Sequence, residues 1–144
     1  MGYIEANLLA DEMVVHKARL HWIIFVKSFA VVFLGLVFLF IQPLMGGFAI
    51  LIGCVALVPI MVAYMSSEFG VTNKRVIIKV GFIRRRTLEL LLRHVEAISV
   101  DQSVTGRILD FGSLTLTGTG GVKELFHNVR SPLEFRRRIQ GAAS

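Results

Sequence analysis

From Ser28 to Ser67 the chain has no Asp, Glu, Lys, Arg or His. A water-facing helix keeps a polar stripe at 3.6-residue spacing. The run Ala30-Val-Val-Phe-Leu-Gly-Leu-Val-Phe-Leu-Phe-Ile41 has no such stripe, which excludes a surface helix of a soluble protein. The missing charge also argues against a pump, a proton relay or an ion-selective pore formed by this chain alone, because such paths carry intramembrane ionisable groups. Cysteine occurs once, at Cys54, so an internal disulfide is excluded and a small apolar packing role remains. No small-x-small cleavage site follows Ile41, and Asp11 and Glu12 precede the apolar run, so a cleaved signal peptide fits poorly. Catalytic groupings are lacking too. Glu89, Glu96, Asp101 and Asp110 form no recognised pairing, and His94 and His127 stand alone. His16 and His21 lack a second ligand at metal-like spacing. The expectation is a protein that is not an enzyme and has no cofactor or metal.

Length is what the apolar stretch does have. A helix rises about 1.5 Å per residue and a bilayer core is about 30 Å thick, so one crossing takes roughly 20 residues. The stretch fits two crossings if a turn divides it. Gln42-Pro-Leu-Met-Gly-Gly47 supplies that turn, with a helix-breaking Pro and a Gly pair. We expect a transmembrane hairpin within 22–65, with helices over about 22–41 and 47–64. A lead at 1–21 precedes it and a soluble domain at 68–144 follows. Gly35 in the first helix and Ala49, Gly53, Ala56 and Ala63 in the second form the expected helix-packing stripe, because lipid gives helices no hydrophobic drive to associate. Pro59 should bend the second helix.

The net charge of +6 is unevenly placed. Before Ser28, Lys17, Arg19 and Lys27 balance Glu5, Asp11 and Glu12, so the surplus lies after the hairpin. Both hairpin ends carry cations and the connecting turn carries none, which by the positive-inside rule places both termini in the cytoplasm. Trp22 and Tyr64 would sit at headgroup level, and Lys27 would snorkel back toward the same surface. A bacterial inner membrane is the expected location.

Beyond Glu68 the apolar period changes from 3.6 to 2. Val76, Ile78 and Val80 alternate along one strand after a tight turn at Thr72-Asn-Lys74, where Asn tolerates a positive φ. Further strands are expected at Phe82–Leu90, Ala97–Gln102, Ser113–Thr117 and Val122–His127, with a turn or short helical link over 105–112. Gly118-Thr-Gly-Gly121 is followed by a strand, and Lys123 by Glu124, so it reads as a hairpin turn and not a phosphate loop. Ser131-Pro-Leu-Glu134 spells a capping box opening a helix whose Leu133, Phe135 and Ile139 face the sheet. For the lead, two readings stay open: a strand that joins the sheet, or a helical continuation of the first span. The fold class is α+β with membrane helices.

Thr72-Asn-Lys-Arg-Val-Ile-Ile-Lys-Val-Gly81, Arg84–Arg86, Val95-Glu-Ala-Ile98, Asp101-Gln-Ser103, Gly106-Arg-Ile-Leu109, Gly118–Gly121 and Pro132-Leu-Glu-Phe-Arg136 occur in one order along the chain. In that order they resemble the membrane-flanked bacterial pleckstrin-homology-like family, over Glu68 to Ile139, and the preceding two-helix hairpin resembles its members too. The resemblance implies a strongly bent antiparallel sheet capped by a C-terminal helix. It implies no catalytic residue and transfers no ligand-binding position.

The expected function is an interaction or assembly module held at the bilayer surface, recruiting a protein partner or copies of itself. The alternatives are recognition of anionic lipid headgroups by Lys74, Arg75, Lys79, Arg84, Arg85 and Arg86, or service as an accessory subunit of a transporter or envelope enzyme. Topology selection alone would also place such cations there. No aromatic interleaving or recognised motif supports nucleic acid as a partner, and no small-molecule substrate is expected.

Overall fold

The computed structural model describes residues 2–144. A short helix α1 (Tyr3–Ala6) leads into β1 (Val14–Ala18), then a 3₁₀ turn (Trp22–Phe25) and two apolar helices, α2 (Val26–Leu39) and α3 (Pro43–Ser66). There follow β2 (Glu68–Thr72), β3 (Arg75–Val80), β4 (Arg86–Leu91), a 3₁₀ turn (Leu92–His94), β5 (Val95–Asp101) and α4 (Val104–Leu109). The chain ends with β6 (Phe111–Gly118), β7 (Lys123–Arg130) and α5 (Pro132–Ala143). Two compact units result. One is built from residues up to His21 together with Ser66–Ser144, and the other is Trp22–Met65.

The first unit holds two antiparallel sheets, ordered β1-β2-β3-β4 and β5-β6-β7. The lead is therefore a strand. β1 pairs with β2 from Ala18 opposite Phe69 to Val14 opposite Thr72, and the apolar helices are an insertion between two neighbouring strands of one sheet. Beyond Ala18 the chain crosses to the other sheet: His21 N–H donates to the Asn128 carbonyl (2.7 Å), and Arg130 N–H donates to the Arg19 carbonyl (3.0 Å). Phe69, on β2, meets Phe126 of β7 edge-on at 5.7 Å and Phe135 of α5 at 6.3 Å, so both sheets and the helix share one aromatic centre. The outer face of the first sheet is closed by α1. Its Ile4 is fully buried and packs over Gly70, where a Cβ would lie 2.5 Å from Ile4 Cδ1 and the Ile4 side chain would have to shift. Glu68 accepts the Tyr3 and Ile4 N–H groups (3.0 and 3.2 Å), satisfying donors that a helix start leaves without partners.

Several local expectations change. β4 starts at Arg86, and 81–85 is a loop in place of the first half of a strand. Asn73 is not among the positive-φ residues; its side chain accepts Met13 N–H (3.0 Å) and donates to the Asp11 carbonyl (3.2 Å). The capping box at Ser131 does not form. Ser131 is left-handed, with φ 48°, and its hydroxyl bonds the Asp110 carboxylate, while Glu134 pairs with Arg138 (2.7 Å). Phe135 and Ile139 face the core as expected, but Leu133 stays partly exposed.

The second unit is a pair of helices long and apolar enough, by length and composition, to cross a membrane. The connection is shorter than the Pro-Gly-Gly pattern implies. Pro43 opens α3, where its missing N–H costs nothing, and Gly46 and Gly47 lie inside the helix, which continues through Pro59. Gly35, Gly46 and Gly53 line the seam. A Cβ on Gly46 would lie 2.4 Å from the Leu39 nitrogen, and one on Gly35 would lie 2.9 Å from the Ile50 nitrogen. Ala49, Ala56 and Ala63 are half-buried on the same stripe. Gly46→Val should therefore push the helices apart at a cost of about 1–3 kcal/mol. Gly47→Val is the control, because a Cβ there meets nothing within 4 Å. Hydrogen exchange in mild detergent should speed up across α2 and α3 in the first variant only.

Candidate functional site

The six cations grouped by sequence separate to the two ends of β3. Lys74 and Arg75 sit at its start, where they tie down the lead. Lys74 Nζ donates to the Ala10 carbonyl (2.7 Å). The Arg75 side chain is 11% exposed, and its guanidinium donates through Nε to Glu12 Oε1 and through an Nη to Glu12 Oε2, both at 3.0 Å. It also reaches Glu89 (2.5 Å) and the Asn7 carbonyl (2.7 Å). The Glu12 side chain is fully buried and accepts from the Thr72 hydroxyl and the Leu9 N–H as well, both at 2.7 Å. Burial would raise its carboxyl, yet these donors, Arg75 first, outweigh it and hold the carboxyl at about 2. Arg75 is raised in return, chiefly by its bond to Glu12. With its guanidinium so enclosed, Arg75 is a structural cation.

Lys79, Arg84, Arg85 and Arg86 lie at the other end. Lys79 Nζ stands over the Tyr3 ring at 4.8 Å, and Arg86 pairs with Glu124 at 2.6 Å. Arg84 and Arg85 are exposed on the β3–β4 loop beside Phe82 and Ile83, and Arg85 lies 5.8 Å from the Phe82 ring centroid. The Gly81 N–H donates to Ser67 Oγ (3.3 Å), fixing the loop to the residue that follows α3. Val80 and Arg86, which flank the loop, also line a cleft of about 240 Å³ with Leu20, Phe69, Phe126 and His127, among others. It is apolar inside with one cation at its rim.

The sequence singled out this loop for its arginines and read Phe82 as part of a strand. The loop's apolar tip was missed, because Phe82-Ile83 alone has the composition of a strand start. Glu12 was also missed, since its partners lie across the apolar insertion. His21 is buried and stacked on Phe111 at 5.1 Å; burial depresses its pKa despite a bond to the Leu109 backbone. Ser113 and His127 are hydrogen-bonded at 3.0 Å, and among the described residues no carboxylate is bonded to His127 to complete a triad. Among the described residues, no three of His, Cys, Asp and Glu gather where a metal could sit.

The sequence matches the profile of the bacterial PH domain over residues 15–143. The chain belongs to that family. The match begins inside β1 and ends inside α5, so it spans the inserted helices as well as both sheets. The bacterial PH domain here is also similar in fold to a crystal structure of a DUF1696-family protein with a pleckstrin-homology domain from Shewanella loihica. That alignment has a TM-score of 0.50 at 9% identity and covers 97% of this chain and 89% of that one. No curated protein matches. This PH domain presents an exposed basic loop, an apolar cleft and edge strands in both sheets, β1 and β4 in one and β5 and β7 in the other.

Proposed function

We propose that this bacterial PH domain is a non-enzymatic interaction or assembly module, fixed at the inner face of the bacterial cytoplasmic membrane by the helix pair. The observation that carries the reading is the insertion point. The apolar helices leave the sheet just after β1 and return at β2, its hydrogen-bonded neighbour, so two strands of the domain's own sheet act as the tether. A tether of this kind restricts the domain to the bilayer surface and leaves the edges of β4 and β5 open to a partner strand or a second copy. Recognition of anionic headgroups is the second reading. It is favoured by Arg84 and Arg85, which the fold leaves exposed on a loop while Arg75 is withdrawn into a buried pair.

Topology tests the first reading. Tags at either terminus should be unreachable by protease outside intact cells, and the chain should resist carbonate extraction from membranes. Surface-accessible tags or a carbonate-soluble chain would sink it. A particle of several copies in mild detergent would support assembly, and a strict monomer across concentrations would remove that part.

A further inference from the structure

The unit built from the two sheets carries two exposed apolar points, each tied to one of the places where the chain passes to or from the apolar helices. The first is the β3–β4 loop, where Phe82 is 57% and Ile83 88% exposed, followed by Arg84, Arg85 and Arg86. Its Gly81 is bonded to Ser67 at the return crossing. The second is α4, where Val104 is 74% and Ile108 76% exposed, with Leu109 partly exposed and Arg107 between them. The Leu109 backbone bonds the ring of His21, the last residue of this unit before the outgoing crossing. Each crossing is thus anchored to one apolar point with arginine beside it.

We propose that these two points insert into the membrane leaflet, Phe82–Ile83 and Val104–Ile108–Leu109 entering the interface while Arg84, Arg85 and Arg107 hold anionic headgroup phosphates. The inference rests on the membrane-anchored reading above. A bilayer is the favoured occupant for two reasons. Ser67, which accepts the Gly81 N–H of the loop, lies one residue beyond α3 in the chain, so a short covalent path joins the loop's anchor to the helix end. Apolar side chains beside arginine also match the layered chemistry of an acyl boundary under anionic phosphates, whose surface potential attracts basic residues. Lys74 and Arg75, at the far end of β3, take no part.

The test uses the full chain in a Cys54→Ala background, reconstituted in nanodiscs of phosphatidylcholine with or without phosphatidylglycerol. Single cysteines carrying an environment-sensitive fluorophore replace Ile83, Ile108, Met13 and Phe38. Met13 is 70% exposed and lies beside Asn73 at the opposite end of β1. Probes at 83 and 108 should shift to the blue and be quenched several-fold more by interface-labelled nitroxide lipid than the probe at 13. The quenching should grow with phosphatidylglycerol and fall back in the R84Q/R85Q/R107Q variant. A quenched probe at 38 beside water-exposed probes at 83 and 108 overturns this inference alone. An unquenched probe at 38 overturns the membrane anchor itself. Probes at 83 and 108 that are shielded from water but not quenched by lipid assign the surface to a protein partner and overturn insertion.

Discussion

Phe69→Ala should destabilise the unit built from the two sheets by about 3–5 kcal/mol, the range for removing a fully buried ring from a well-packed core. Phe69 has no exposed surface and is where three elements meet, edge-on to Phe126 of β7 and Phe135 of α5. Its neighbourhood is poorly able to collapse, because the cleft of about 240 Å³ already opens beside it and would merge with the new void. The cost should therefore fall in the upper half of that range. Phe69→Leu, which keeps most of the volume, should cost less than half as much. Urea titration of the full chain in mild detergent, followed by hydrogen exchange of the strand amides, measures both. A loss below about 1 kcal/mol for the alanine variant would mean that the sheets close without this ring.

How much of this was legible beforehand depends on the distance over which each signal acts. β6 and β7 were readable because Leu114/Leu116 and the residues around Phe126 alternate locally, and a period of two needs no partner to be seen. β3 was found as a strand, but its expected single buried face was wrong, since Ile77 is as fully buried as Val76 and Ile78. β2 was not singled out. Phe69, Gly70, Val71 and Thr72 are all buried, since Ile4 covers one face and Phe126 and Phe135 the other, so burial on both faces erases the alternation. The C-terminal helix was placed correctly while its cap was not. Ser131 spends its hydroxyl on Asp110, a residue at the end of α4 that sequence spacing does not bring to mind.

The basic set shows the same limit from the side of the site. Sequence proximity grouped Lys74 with Arg86, yet a six-residue strand runs between Lys74 and the loop, and Arg75 turns inward because a carboxylate from beyond the insertion waits for it. Net charge and helix lengths are properties of composition and survive without coordinates. Which cation is free to meet a partner is a property of pairing, and pairing here joins residues on opposite sides of the apolar helices.

Glu12→Gln is the substitution that isolates this pairing. The Glu12 carboxyl lies at about 2 in the fold against a reference of 4.5, and at 1.36 kcal/mol per unit the difference is about 3 kcal/mol. The folded value is the depressed one, so the contribution is complete above about pH 4.5 and disappears as pH falls toward 2. At pH 7 the glutamine variant should be less stable by about that amount, and its stability should be flatter than that of the parent protein between pH 4.5 and 2. Arg75→Met alone should be at least as damaging, since it leaves a buried carboxylate without its cation. Glu12→Met combined with Arg75→Met should recover part of the loss, because two apolar side chains in the same space leave no charge to compensate. Equal pH dependence in the Gln variant and the parent would mean that other carboxylates govern the acid transition. The loosening should appear first in the lead, at the Leu9 and Met13 amides that Glu12 and Asn73 hold. With the lead goes β1, and with β1 one of the two strands that tether the domain to its helices.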